Sequence, residues 1–339
     1  MNMAAENGYL EMVKWLSENR PEGCTTYAMN LAAENGHLEM VKWLSENRTE
    51  GPSSQRLACS GCTPYAMDWA AENGHLEMVK WLHENRTEGC TTSAMDWAVR
   101  KGHLEMVKWL HENRTEGCTV WAMDLAAANG HLDVIKWLHE NRTEGCTTRA
   151  MNGAAQEGHL EIVIWLNNNR SEGCTTAAID CAAGEGSFET VKWLHENRTE
   201  GCSHLAMDYA ARNGHLDVVK WLSENRTEGP SSQRLARAGC TTRAMDWAAE
   251  MGHLAVVIFL SENRKEGCTT NAMDEAAANG YLDIIKFLSE NRTEGCTTYA
   301  MDCAAEMGHL DIVKFLSENR KGCTTNAMDR TAERAFRDC

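Results

Sequence analysis

Residues Thr91–Cys118 read TTSAMDWAVRKGHLEMVKWLHENRTEGC, and near-copies of this block run end to end through the chain. Aligned on the Met of the A-M-[DN] signature, copies begin at Met1, Met29, Met67, Met95, Met123, Met151, Ile179, Met207, Met245, Met273, Met301 and Met328. Most spacings are 28 residues, two are 38 and the last is 27. Self-similarity at a short fixed period is the signature of a solenoid, whose units bury their apolar faces against their neighbours. The expectation is an extended interaction surface with no catalytic cleft.

Within the block, Thr91 or Thr92 is a good N-cap. Asp96 falls in the first turn, where a carboxylate suits the helix dipole. Every copy carries Asp or Asn in this slot, from Asn2 to Asp329. Gly102 stops the first helix, and His103–Arg114 forms the second. Steps of about 100° per residue put Ala94, Met95, Ala98 and Val99 on one side of the first helix. Ser93, Trp97, Arg100 and Lys101 fall on the other. On the second helix Leu104, Met106, Val107, Trp109 and Leu110 cover more than half the circumference, which predicts packing from two sides. Glu105, Lys108 and Glu112 form a polar ridge of opposite charges at i,i+3 and i,i+4.

Composition narrows the function. The 339 residues include 49 acidic and 33 basic side chains, for a net charge of -16. That balance disfavours broad binding to nucleic acid or anionic membranes. No run of 18 apolar residues exists, so no transmembrane helix is expected. The N-terminal MNMAAENGYLEMVKWL lacks a basic region followed by an apolar core, so no signal peptide is expected.

Eleven of the 15 cysteines, from Cys24 to Cys323, occupy one slot per repeat. Packed helices lie about 8–10 Å apart, beyond the roughly 7 Å that a disulfide spans between Cα atoms. Free, buried or half-buried thiols and a reducing compartment, cytoplasmic or nuclear, follow as expectations. Eight N-R-[ST] tripeptides, beginning at Asn47, Asn85, Asn113, Asn141, Asn169, Asn197, Asn225 and Asn291, have the form of glycosylation acceptors. They end the second helix of nearly every unit, and the structural reading is preferred.

The run from Ala66 to Leu82, AMDWAAENGHLEMVKWL, resembles the ankyrin repeat, whose usual form reads T-P-L-H-L-A-A-x-x-G-H-x-E-V-V-x-L-L. Two departures stand out. Ankyrin units run about 33 residues, and the shorter block lacks residues of the segment that normally forms a β-hairpin finger. Asp or Asn also replaces the signature His, so the hydrogen bonds that His makes cannot be carried over. The resemblance implies an all-α, fingerless helix–turn–helix solenoid of about twelve repeats, reading 1–339 as a single array. Residues 326–339 read as a degenerate polar cap. Ten-residue insertions at 51–60 and 229–238, GPSSQRLACS and GPSSQRLARA, read as loops, either duplicated passengers or projections toward a partner.

Recurrent residues do not form a chemical site. Histidines of the G-H turn (His37, His75, His103, His131, His159, His215, His253, His309) and of a second ladder (His83, His111, His139, His195) recur about 10 Å apart. Metal coordination needs ligands near 2 Å. No metal site, cofactor, small-molecule substrate or catalytic constellation is expected, and the protein is read as not an enzyme. The tryptophans Trp15, Trp43, Trp81, Trp109, Trp137, Trp165, Trp193 and Trp221 read as stacking core.

Comparing copies shows where the block is free to change. Variation concentrates on three first-helix slots at i, i+4 and i+7, which share a face. The first reads Tyr27, Tyr65, Ser93, Trp121, Arg149, Ala177, Leu205, Arg243, Asn271, Tyr299. The second reads Leu31, Trp69, Trp97, Leu125, Gly153, Cys181, Tyr209, Trp247, Glu275, Cys303, and the third includes Arg100, Gln156, Arg212 and Glu250. By resemblance, first helices line the concave, partner-binding surface. The candidate contact residues are therefore Tyr65, Trp69, Trp97, Arg100, Trp121, Leu125, Arg149, Leu205, Tyr209, Arg212, Arg243 and Trp247. Trp, Tyr and Arg are enriched in binding hot spots. Drift at exposed positions would also scatter these slots, although exposed tryptophan is unusual on a surface without a partner. The expected function is a monomeric, non-enzymatic protein–protein interaction scaffold. The alternative is the recruiting array of a larger enzyme or ubiquitin-ligase adaptor whose effector lies outside this chain.

Overall fold

The computed structural model describes residues 1–20, 25–47, 62–225 and 239–319. These residues form 22 α-helices and no strand, arranged as the expected helix–turn–helix repeats. Both insertions, at 51–60 and 229–238, and the cap at 326–339 lie outside the described residues.

Two compact units divide the chain: 1–153 with 164–173, and 154–163 with the residues from Cys174 onward. In the first unit the helix Asn2–Glu6 packs on Thr26–Glu34, which packs on Pro64–Glu72, then Thr92–Arg100, then Trp121–Ala128. In the second, Ala177–Gly184 begins a similar series through Leu205–Arg212, Thr242–Glu250, Thr270–Ala278 and Thr298–Met307. Small residues allow this close approach. Ala94, Met95, Ala98 and Val99 are buried, as are their counterparts Ala244, Met245, Ala248 and Ala249.

The local signals act much as the sequence implies. Thr91 is the N-cap, its Oγ1 accepting the Ser93 N–H at 3.1 Å. Gly102 adopts φ +76, and the following turn returns the His103 N–H to the Ala98 carbonyl at 3.0 Å. The second helix runs Leu104–Asn113 and closes with Asn113 Nδ2 donating to the Trp109 carbonyl at 2.9 Å. This C-terminal cap accounts for the Asn of the N-R-[ST] run. Lys108 pairs with Glu105 at 2.7 Å, as the polar ridge implies.

The slot occupied by Asp96 does more than meet a dipole. Asp96 is buried, and its Oδ1 accepts the Thr119 backbone N–H at 2.9 Å while its Oδ2 accepts the Thr119 hydroxyl at 2.8 Å. The same two bonds join Asp68 to Thr91, Asp124 to Thr147, Asp246 to Thr269 and Asp274 to Thr297. Each carboxylate thus holds the Thr that opens the next repeat, whose hydroxyl oxygen in turn accepts the N–H two residues on in the Thr91, Thr119, Thr147, Thr269 and Thr297 copies. Burial raises the Asp96 and Asp68 carboxyls above their ordinary range, although the Thr bonds work against it. Asp208 holds Thr241 by the same pair of bonds, 2.8 Å each, across the longer spacing. The ladder therefore continues past the second insertion.

A second ladder runs through the loops. Arg114 forms an ion pair with Glu116, and its Nη1 lies 3.3 Å from His83 Nδ1 of the preceding repeat. The guanidinium also reaches Cys90 of that repeat and occupies the space beside Gly89. A Cβ on Gly89 would meet Arg114 Nη2 at 2.6 Å, and its φ of +71 independently favours glycine. The R-x-E-G-C run is thus a cross-repeat brace. Burial pushes its thiols Cys90 and Cys118 up to about 12, which keeps them protonated.

The tryptophan ladder departs from expectation. Trp81, Trp109, Trp137, Trp165, Trp193 and Trp221 are half-buried, and Trp15 is 55% exposed. Trp109 presents its ring edge-on to His83 of the preceding repeat, 5.3 Å between centroids and 87° between planes. Trp137 with His111, Trp165 with His139 and Trp221 with His195 repeat this T-shaped contact. The fully buried positions of the second helix are instead Met106, Val107 and Leu110. Tryptophan is too large for the narrow space between helices and lies along its margin.

Candidate partner-binding surface

In the described repeats the first helix buries its Ala–Met and Ala–Ala pairs (Ile179 and Val99 standing in once each), which leaves most of the three variable slots at least partly exposed, Cys303 being buried. Tyr65 is 52% exposed and Trp121 57%. Arg149, Arg212 and Arg243 are exposed, while Trp69, Trp97, Arg100, Leu125, Leu205, Tyr209 and Trp247 are half-buried. None of the twelve candidate residues enters the core.

In the first unit, Tyr65 stacks on Trp69 with centroids 5.6 Å apart and planes 17° apart. Tyr27 of the preceding repeat joins them at 6.5 Å from Trp69. Tyr27 shares the Tyr65 slot, yet it was not among the candidates. Further along, Arg149 lies 5.6 Å from the Trp121 ring centre. Trp97 makes no ring contact among the described residues, so it does not join Trp121 in one aromatic strip. Arg100 also differs from expectation: it forms an ion pair with Glu72 of the preceding repeat and is not a free cation. Glu72 and Glu6 lie near Glu34, whose carboxyl is raised first by burial and then by these two charges.

Position 153 is glycine for a packing reason. A Cβ there would come within 2.9 Å of Ala128 Cβ. Variation in this slot therefore includes a close approach between helices as well as surface choice.

The second unit carries a denser cluster. Tyr209 stacks on Trp247 at 6.2 Å with planes 16° apart. Arg212 and Arg243 both lie over the Trp247 ring, at 5.5 and 5.6 Å from its centre. Cation–π contacts of this kind hold a guanidinium while leaving its N–H groups available. Glu275, one repeat on, is raised first by burial and then by Glu250 and Asp274.

Nothing else among the described residues resembles a chemical site. No group of three or more His, Cys, Asp or Glu is placed to hold a metal ion. The G-H histidines pack instead on glycines of the preceding turn: His131 covers Gly102 and its Nε2 lies 3.0 Å from the Arg100 carbonyl oxygen. No helix among the described residues is long and apolar enough to cross a membrane.

No curated relative matches the chain. The ankyrin repeat domain of human ASB11 is a structural neighbour at 20% identity and a TM-score of 0.39, over 50% of this chain and 96% of that one. The family described as ankyrin repeats (3 copies) matches residues 1–93, 67–152, 151–234 and 245–329. Ankyrin repeats generally mediate protein–protein interaction and are typically non-enzymatic. With these matches spanning most of the chain, it belongs to the ankyrin-repeat family.

Proposed function

We propose that this chain is a protein–protein interaction scaffold that grips its partner along the outward face of the first helices, read as one array over 1–339. The observation that carries this reading is an internal contrast. Ala94, Met95 and Ala98 are buried, while the slots of Ser93, Trp97 and Arg100 on the other side of the helix vary from copy to copy and between them carry Tyr, Trp and Arg. By resemblance this face is the concave one. Such side chains dominate binding energies when a partner covers them. The net charge of -16 favours a protein partner over a polyanion. The protonated thiols of Cys90 and Cys118 fit a reducing cytoplasmic or nuclear setting.

Site-specific photocrosslinking tests the reading. A crosslinker at Tyr65 or Tyr209 should capture a defined protein, whereas one at Lys136 or Lys220 on the exposed side of the second helices should not. Capture of the same protein only from the second-helix positions would place the interface elsewhere.

A further inference from the structure

Apart from Arg20, the arginines among the described residues divide by partner. Arg86, Arg114, Arg142, Arg170, Arg198, Arg264 and Arg292 each pair with the Glu two residues on, and Arg100 pairs with Glu72. On the first helices, Arg149, Arg212 and Arg243 have no carboxylate within ion-pair distance among the described residues, and all three lie over a tryptophan face. Two of them share Trp247.

One contrast shows that the second cluster is held open. Glu72 and Arg100 occupy equivalent slots in successive repeats, and they pair. Arg212 and Glu250 occupy the same two slots in reverse order, yet they form no ion pair; Arg212 lies on Trp247 instead. The result is a bipolar surface. Arg212 and Arg243 flank a Tyr–Trp platform, and Glu250 and Glu275 follow within about one repeat.

We propose that this surface seats an extended peptide segment of the partner that carries a carboxylate side chain and a basic one. This rests on the reading of the first-helix face as the binding surface. The carboxylate is held by the N–H groups of Arg212 and Arg243, and an adjoining apolar group covers Trp247. The basic side chain reaches Glu250 and Glu275. Adjacent helices lie about 10 Å apart and an extended chain advances about 3.4 Å per residue, so the two charges stand about three residues apart. A uniformly acidic ligand, nucleic acid included, meets Glu250 and Glu275 and is disfavoured.

The test is panning of a random dodecapeptide display library against the full chain. Selected peptides should be enriched in Asp or Glu about three residues away from Lys or Arg. By fluorescence anisotropy, Arg212→Gln/Arg243→Gln should weaken the best peptide about tenfold or more, with the thermal melt unchanged. Replacing the peptide's acid by Gln should cost as much, and combining both changes should cost little further. Peptides that lose affinity on Trp247→Ala but show no acid preference and ignore the arginine substitutions would overturn this inference and leave the broader surface standing. Failure to select any peptide would also overturn it. Peptides insensitive to Trp69→Ala, Trp97→Ala, Trp121→Ala and Trp247→Ala would remove the surface assignment as well.

Discussion

Trp97 and Trp109 stand twelve residues apart in one repeat, and both are half-buried. Their slots behave differently. The Trp109 slot holds Trp or Phe from Trp15 to Phe315, and Trp109 meets His83 of the preceding repeat edge-on. The Trp97 slot accepts Leu, Gly, Cys, Tyr and Glu, and Trp97 has no ring partner among the described residues. Equal exposure thus conceals different duties: one ring braces neighbouring repeats and the other presents surface. What distinguishes them is whether a group from the preceding copy packs on the side chain.

The strongest test of the bracing side is its buried apolar layer. Leu110→Ala, at a position 1% exposed, should destabilise by about 2–5 kcal/mol, measured by denaturant unfolding. A loss below about 1 kcal/mol would mean that the second helix does not carry the stack. Asp96→Ala comes next. It strips the Thr119 N–H and hydroxyl of their acceptor, and should cost about 1–3 kcal/mol. Asp96→Asn should retain more, because Asn30 already serves this slot, donating from Nδ2 to Thr63 Oγ1 at 2.8 Å and accepting the Thr63 N–H at 3.1 Å.

Charge in the loop brace has a smaller, pH-dependent effect. The hydrogen bond from Arg292 holds the Glu294 carboxyl down from its ordinary 4.5 to about 2. A depressed acid contributes stability above its unfolded pKa and loses it as pH falls through the folded one. Wild-type stability should therefore decline between pH 4.5 and about 2, and Glu294→Gln should flatten that decline. The buried Asp96 slopes the opposite way, since its raised carboxyl favours the folded state as it protonates. An acid limb unchanged in Glu294→Gln would show that the brace contributes little. The smallest change is expected at Ile164 and Ile258, where other repeats carry Lys. Ile→Lys at either half-buried site should stay within about 0.5 kcal/mol, and a larger loss would show that these positions face inward.

Much of the stack was legible because its signals are local. Thr caps, the Gly stop and the Glu–Lys ridge act within one copy, and the alternation of Ala and Met identifies the buried side. Cross-repeat chemistry was less legible. Asp96 reads as a first-turn charge because its partner, Thr119, belongs to the next copy, and a perfect repeat does not say which copy answers which. Trp109 reads as core from its apolar character, although only packing shows that so large a ring lies along the margin. On the candidate face, variability identified the slots. It could not show that Arg100 is consumed by Glu72, or that Arg212 and Arg243 share Trp247, because those outcomes depend on side-chain direction.

The most direct measurement pairs the two tryptophans. Trp97→Ala and Trp109→Ala should be compared by thermal melting and by binding to the protein captured through crosslinking at Tyr65. The account predicts that Trp97→Ala melts close to wild type and weakens binding by about 2 kcal/mol or more. Trp109→Ala should lower the melt and spare binding at temperatures where the stack is folded. Equal loss of melting temperature in both, with binding unchanged by Trp97→Ala, would contradict it.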